Sequence, residues 1–231
     1  MRRLIGAVVT GAFLLAAVGY CLFAPDRAEP PAEATSTSPT EPQQETSDRA
    51  SDLAEPGILM VVTPSLNGDL LVTETVRLPG PTDSVTLGPP RLARAGSQFD
   101  DVEATVTDVR LRSPGQASSF PGGEVDAPTR VSVPSTETAE VSYRLAGATV
   151  PSVPSRPGRS TGGVSPLLRE LDSDLPVHVV VTGPAVLNLA CPQLPASEQA
   201  CRNGTPLAAQ TKDPLPFSDA VVTVQLDLRR T

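Results

Sequence analysis

Tryptophan is absent from this 231-residue chain, aromatic residues make up 3% of it, and histidine and lysine occur once each, at His178 and Lys212. Without tryptophan an aromatic platform for stacking sugars is hard to assemble. The aromatics beyond the N-terminal region are Phe99, Phe120, Tyr143 and Phe217. That set and a net charge of −8 argue against nucleic-acid binding, which needs a basic face and stacking rings. A single histidine leaves no second imidazole for a zinc site, and no closely paired cysteines replace it. Phosphate-loop, dinucleotide-binding, Gly-x-Ser-x-Gly and Ser-x-x-Lys motifs are also missing. These absences point to a protein that is not an enzyme and needs no cofactor.

What is present begins at the N-terminus. Arg2 and Arg3 precede an uncharged run from Leu4 to Ala24, about 21 residues. As a helix that run would extend roughly 31 Å, against a hydrocarbon core of about 30 Å. Two leading arginines and Asp26 on the far side predict a single-pass anchor over 1–24, with its N-terminus cytoplasmic and the remainder extracytoplasmic. A cleaved signal peptide is the alternative. Its apolar region would be shorter, however, and Leu22 and Pro25 suit a small-residue cleavage site poorly. Cys21 follows the bulky Tyr20, which disfavours lipidation. From 25 to 56 the composition turns to Pro, Glu, Ser, Thr and Gln, too polar to bury a core and therefore a disordered tether.

Residues 57–231 carry period-2 hydrophobicity, the mark of half-buried strands. Ala220, Val222, Val224, Leu226 and Leu228 share one face. Val141, Tyr143 and Leu145 form a second such run, and Leu187, Leu189 and Cys191 a third. Asn67-Gly68 predicts a type I′ hairpin between Ile58–Leu66 and Asp69–Leu78. Gly183-Pro184 divides Val177–Thr182 from Ala185–Ala190, and further strands are expected at Ser84–Leu87, Val102–Leu111 and Thr129–Val133. Together these predict an all-β, antiparallel, immunoglobulin-like β-sandwich. One helical turn is expected at Pro166–Leu171, capped by Ser165. A long exposed loop is expected at Gly147–Gly163.

Several residues are candidates for function. Cys191 and Cys201 are an even pair in an oxidising compartment and predict a disulfide. Arg156 and Arg159, in the expected loop, are candidates for contacting an anionic partner such as a headgroup. His178 alternates against Val177, Val179 and Val181, which suits an ordinary strand histidine over a general base. Glu74 falls in line with Leu70, Val72, Val76 and Leu78 on an apolar face. If buried it needs a partner such as an arginine. The plainer reading is an edge strand guarded by an inward charge, or the wet end of a sheet. The acidic runs Asp100–Glu103 and Asp172–Asp174 lack EF-hand spacing.

GDLLVTETVRL, from Gly68 to Leu78, resembles the V-T-E-T strand that opens the extracytoplasmic domain of certain uncharacterised predicted membrane proteins. VLNLACPQLPASEQAC, from Val186 to Cys201, together with SYRLAG from Ser142, resembles membrane-anchored hypothetical proteins of actinobacteria. The resemblance spans about 120 residues and implies location and fold without naming a reaction. The role expected from all this is non-catalytic contact with a cell-envelope or membrane partner. A small-ligand or lipid carrier is the alternative.

Overall fold

The computed structural model describes residues 53–228, apart from 115, 121–122, 153–157, 170, 172–173, 184 and 206, and gives backbone only for 116–119. The expected anchor at 1–24 and most of the tether at 25–56 lie outside the described residues. Among those described, no helix is long and apolar enough to cross a membrane.

The described chain is all-β, in two sheets. The larger combines β1 (Gly57–Pro64), β2 (Leu70–Leu87), β3 (Thr105–Ser113), β4 (Gln116–Ser119), β5 (Thr129–Ala146) and β9 (Pro176–Thr182) with β11 (Arg202–Gly204) and β12 (Ala208–Thr211). Their spatial order is β11-β12-β9-β1-β2-β5-β3-β4. Two short strands join off this path: β8 (Leu168–Arg169) pairs with β2 and β13 (Leu215–Pro216) with β9. The smaller sheet orders β10 (Val186–Ala190), β14 (Val222–Asp227), β7 (Arg159–Val164) and β6 (Thr149–Pro151).

The expected β1–β2 hairpin forms, with Pro64 opposite Leu70, but through a longer turn than Asn-Gly alone suggests. The Ser65 amide donates to the Asp69 carbonyl and the Gly68 amide to the Ser65 carbonyl. A type I′ turn needs positive φ at both central residues, and here Gly68 has φ +92° while Asn67 does not share it. Asn67 instead receives the Asp69 amide on its side-chain oxygen at 3.2 Å. A Cβ on Gly68 would also lie 2.7 Å from the Thr149 hydroxyl. Gly68→Ala is therefore expected to lower stability by about 1–2 kcal/mol, read from the urea midpoint at constant m-value.

One pairing departs from the antiparallel expectation: β1 runs parallel to β9, Ile58 opposite Val177 and Val62 opposite Val181. Sequence periodicity is blind to strand direction, because both kinds of ladder put alternate residues on one face. The inner face of the large sheet is built as the alternation predicts, from Ile58, Met60, Val72, Val76, Val141, Leu145 and Val179, each at most 2% exposed.

Prolines misled the reading of strand length. Ser84–Leu87 is the far half of β2, which runs through Pro79 and Pro81 where its register with β5 shifts. Bulges tolerate proline because a ladder hydrogen bond is already missing there. Glycines misled in the same way. Of the loop expected at Gly147–Gly163, Thr149–Pro151 and Arg159–Gly163 lie instead in β6 and β7, which pair with each other, while 153–157 lie outside the described residues; Gly162 and Gly163 are buried. A Cβ on Gly162 would sit 3.1 Å from Val224 and 3.4 Å from Leu70 of the large sheet; one on Gly163 would sit 3.1 Å from both Leu92 and Phe99. The small sheet is thus packed on both sides at these glycines, which is why no side chain stands there. A bulge between Val186 and Asn188 also rotates β10, burying Val186 and Leu189 and leaving Leu187 half-buried.

The helical turn expected at Pro166–Leu171 does not form. Leu168 and Arg169 are strand β8 instead. Ser165 caps no helix; its Oγ accepts the Arg91 amide at 2.7 Å.

Candidate functional site

Chain direction explains where the unusual chemistry lies. After β7 in the small sheet, the chain crosses through Ser165–Leu167, all buried, and enters the large sheet as β8. In transit its backbone groups belong to neither ladder and must find other partners. The Leu167 carbonyl accepts the Gly88 amide at 2.8 Å. The Leu167 amide donates to Glu74 Oε1 at 2.7 Å, and the same oxygen accepts the Tyr143 hydroxyl at 2.7 Å.

Glu74 is therefore not on an edge. β2 lies between β1 and β5, and Glu74 is 0% exposed, opposite Met60 on one side and Val141 on the other. The edge-strand and wet-end readings are corrected by this position. Its partner is not the expected salt-bridging arginine either, but a tyrosine and a crossing backbone. Glu74 Oε2 has no hydrogen-bond partner among the described residues, although the Leu168 amide approaches and the Arg169 charge lies nearby. Desolvation dominates and raises the carboxyl above its ordinary range, despite the Tyr143 and Leu167 hydrogen bonds that favour ionisation. Tyr143 is pushed well up by its own burial and by Glu74. Burial and these hydrogen bonds oppose one another at the carboxyl, and the pair acts as a hydrogen-bonding clamp on the crossing.

Arginines hold the neighbouring segments. Arg91 stacks over the Phe217 ring at 5.1 Å and donates to the Phe217 carbonyl at 2.8 Å. Arg94 donates to Gln193 at 2.8 Å and pairs with Asp219 at 3.5 Å. Arg169 donates to the carbonyls of Pro166 and Leu168 at 2.7 and 2.9 Å and also to that of Pro89. Burial pulls the Arg91 and Arg169 guanidinia below the ordinary arginine range.

Cys191 and Cys201 form the predicted disulfide, with Cα atoms 5.8 Å apart. Both ends are tied into backbone: the Cys191 amide donates to the Gln199 carbonyl, and the Cys201 carbonyl accepts from Lys212. His178 points outward from β9 opposite Leu59, in agreement with an ordinary strand residue. Of the candidate partner contacts, Arg156 lies outside the described residues. Arg159 opens β7 opposite Asp227, half-buried, and its Nε has no hydrogen-bond partner among the described residues. Asp100, Asp101 and Glu103 are exposed or half-exposed in loops, and Asp172 is not described. Among the described residues no three of His, Cys, Asp and Glu converge as metal ligands.

Surface grooves also lie among the described residues. One, about 490 Å³, lies among Pro90, Phe99, Val102, Val106 and Val125 with the carboxylates of Asp100, Glu103, Glu124 and Asp126 around it. Another, about 380 Å³, lies along the far half of β2 and includes Arg130 and Arg169. Parity alone put Glu74 and Tyr143 on one sheet face. That β2 is central, and that a crossing segment supplies the amide, has no sequence signal.

No family model matches this chain, and no curated protein matches it. Among solved structures it is similar to an aminopeptidase N family protein from Idiomarina loihiensis, with 11% identity and a TM-score of 0.37 over 73% of this chain and 29% of the other. It is also similar to an M1 zinc metallopeptidase from Deinococcus radiodurans, with 18% identity and a TM-score of 0.35 over 73% of this chain and 41% of that one. The chain spans less than half the length of either.

Proposed function

We propose that this chain is a single-pass membrane protein that holds an immunoglobulin-like β-domain outside the cytoplasm on the 25–56 tether and acts by non-catalytic contact with a cell-envelope partner. The observation that carries this reading is the closure of the Glu74–Tyr143 pair. Both side chains are sealed at 0% and 4% exposure, and Glu74 accepts from Tyr143 and from the Leu167 amide of the crossing, so this buried pair serves the fold. The Cys191–Cys201 disulfide supports the compartment, since such bonds persist where thiols are oxidised. The Leu4–Ala24 run and the resemblance to anchored actinobacterial proteins support the tether.

The test is topological first. A C-terminal alkaline phosphatase fusion is expected to be active, and the full chain to sediment with membranes until detergent releases it. An inactive fusion, or a protein washed free by salt, would overturn the anchored reading. Photo-crosslinkers placed at exposed positions such as His178 and Leu207 should then trap the same neighbour reproducibly. A chain that crosslinks to nothing in intact cells would overturn the contact role.

A further inference from the structure

Asn-Gly occurs at Asn67-Gly68 and again at Asn203-Gly204. In such a pair the glycine nitrogen can attack the asparagine side-chain carbonyl carbon, because glycine has no Cβ to screen its approach. Both asparagines are exposed and both pairs belong to hairpins, β1–β2 and β11–β12. The folded chain sets them apart. At the first pair each reacting group is held by a third party. The Gly68 amide donates to the Ser65 carbonyl at 3.0 Å. The Asn67 side chain is bound at both ends by Asp69, whose amide donates to Oδ1 at 3.2 Å and whose carboxylate accepts from Nδ2 at 2.7 Å.

At the second pair the reacting groups are bonded to each other. The Gly204 amide donates to Asn203 Oδ1 at 2.8 Å, and no other hydrogen bond among the described residues holds that side chain. A carbonyl bond is about 1.2 Å long, so the Asn203 carbonyl carbon lies within about 4 Å of the Gly204 nitrogen. A turn of the side chain then aligns it for attack, with the approach already made. β11 ends the spatial order of the large sheet and pairs only with β12 among the described residues. Such edges open locally at little cost. Arg202, Asn203 and Gly204 are all exposed, so water reaches the site. Glycine is required at 204, where φ is +95° and a Cβ would lie 2.3 Å from the Ala208 carbonyl oxygen. The hairpin therefore needs the very residue that makes its neighbour reactive.

We infer that Asn203 is a site of spontaneous modification by water, converting to aspartate and isoaspartate while Asn67 persists. The Gly204 nitrogen forms a bond to Asn203 Cγ and gives up its proton. The bond from Cγ to Nδ2 breaks, and ammonia leaves with that proton, closing a five-membered succinimide. One water molecule then opens the ring. Opening at the side-chain carbonyl restores an ordinary backbone with aspartate; opening at the main-chain carbonyl leaves isoaspartate, with the chain running through Cβ. Either product adds one negative charge to a chain already at −8. Isoaspartate also lengthens β11 by one backbone carbon between the partners of Gln210 and Ala209. The chemistry needs neither the anchor nor a partner protein.

The full chain in a non-ionic maltoside detergent can be held in warm, mildly alkaline buffer made with heavy-oxygen water, then digested with trypsin in ordinary water and analysed by mass spectrometry. The heavy oxygen marks only conversions that occurred in the intact protein. Cleavage after Arg202 and Lys212 isolates Asn203, and the peptide ending at Arg77 carries Asn67. The Asn203 peptide is expected to take up label at least tenfold faster than the Asn67 peptide, with isoaspartate detected by enzymatic methylation. In urea, where neither hairpin stands, the two rates are expected to converge. Asn203→Gln should remove the labelled product from its peptide. Equal rates in the folded protein, faster conversion at Asn67, or an unlabelled Asn203 peptide would overturn the inference. So would a preference that persisted unchanged in urea, because it would then come from neighbouring sequence and not from the fold.

Discussion

Glu74→Ala should lower the unfolding free energy by about 3–5 kcal/mol, while Glu74→Gln should stay within about 1 kcal/mol of the parent. The alanine variant strands the Leu167 amide and the Tyr143 hydroxyl, both donating to Oε1 at 2.7 Å, in a site with no water access. Each stranded donor costs about 1–3 kcal/mol, and the emptied volume adds to that. Glutamine keeps an oxygen where Oε1 stands and carries no charge. Urea denaturation of the three proteins measures the difference. If alanine and glutamine proved equally mild, the crossing would not be held by this side chain.

The same group makes stability depend on pH in a definite direction. Burial raises the folded Glu74 pKa above its ordinary 4.5, so the folded chain keeps a proton that the unfolded chain has released. Its contribution is fully present below about 4.5 and is lost as pH rises through the raised folded value, levelling beyond it. The slope cannot exceed about 1.4 kcal/mol per pH unit. Glu74→Gln has no such proton. The stability of the parent relative to Glu74→Gln should therefore fall as pH rises above about 4.5, and a difference that stayed flat would mean the carboxyl ionises as easily in the fold as outside it.

The second large effect concerns the disulfide. Replacing both Cys191 and Cys201 with serine should cost about 2.5–3 kcal/mol, the loop-closure value for a ring of about 11 residues. The Gln199 side chain donates to the Pro192 and Leu194 carbonyls at 3.3 and 3.1 Å, so the loop retains some order when the bond is absent. That places the expected loss at the lower end. Thermal and urea unfolding of the oxidised, reduced and double-serine proteins provide the measurement, with reduced and double-serine forms expected to agree.

Strand faces were legible because alternation depends only on local backbone geometry. Val222, Val224 and Leu226 are all 0% exposed, as their spacing predicts. Turn and breaker residues were less informative, because proline at a bulge and glycine under a packed neighbour look in sequence like loop. Pro79, Pro81, Gly162 and Gly163 all lie inside strands. The helical turn at Pro166 failed for a related reason: Ser165 and Pro166 supply good capping chemistry, but the segment is committed to crossing between sheets.

Glu74 shows the boundary most clearly. Its place on an apolar face was evident from Leu70, Val72, Val76 and Leu78, and so was the need for a partner. Whether β2 stood at an edge or inside the sheet depended on β5 closing the side that β1 leaves open, with Val141 opposite Glu74. The Asn-Gly pairs at 67 and 203 are alike in sequence and are told apart only by the Asp69 contacts of one and the Gly204 contact of the other.

The amino-acid order by itself determined the all-β class, the facing of the main strands and the cysteine pair, because each follows from contacts within a few residues or from composition. Strand order, the single parallel pairing and the buried clamp at Glu74 were decided only in three dimensions. Those features arise where distant segments meet, and what selects them is the burial of the shared apolar faces, to which local spacing is indifferent.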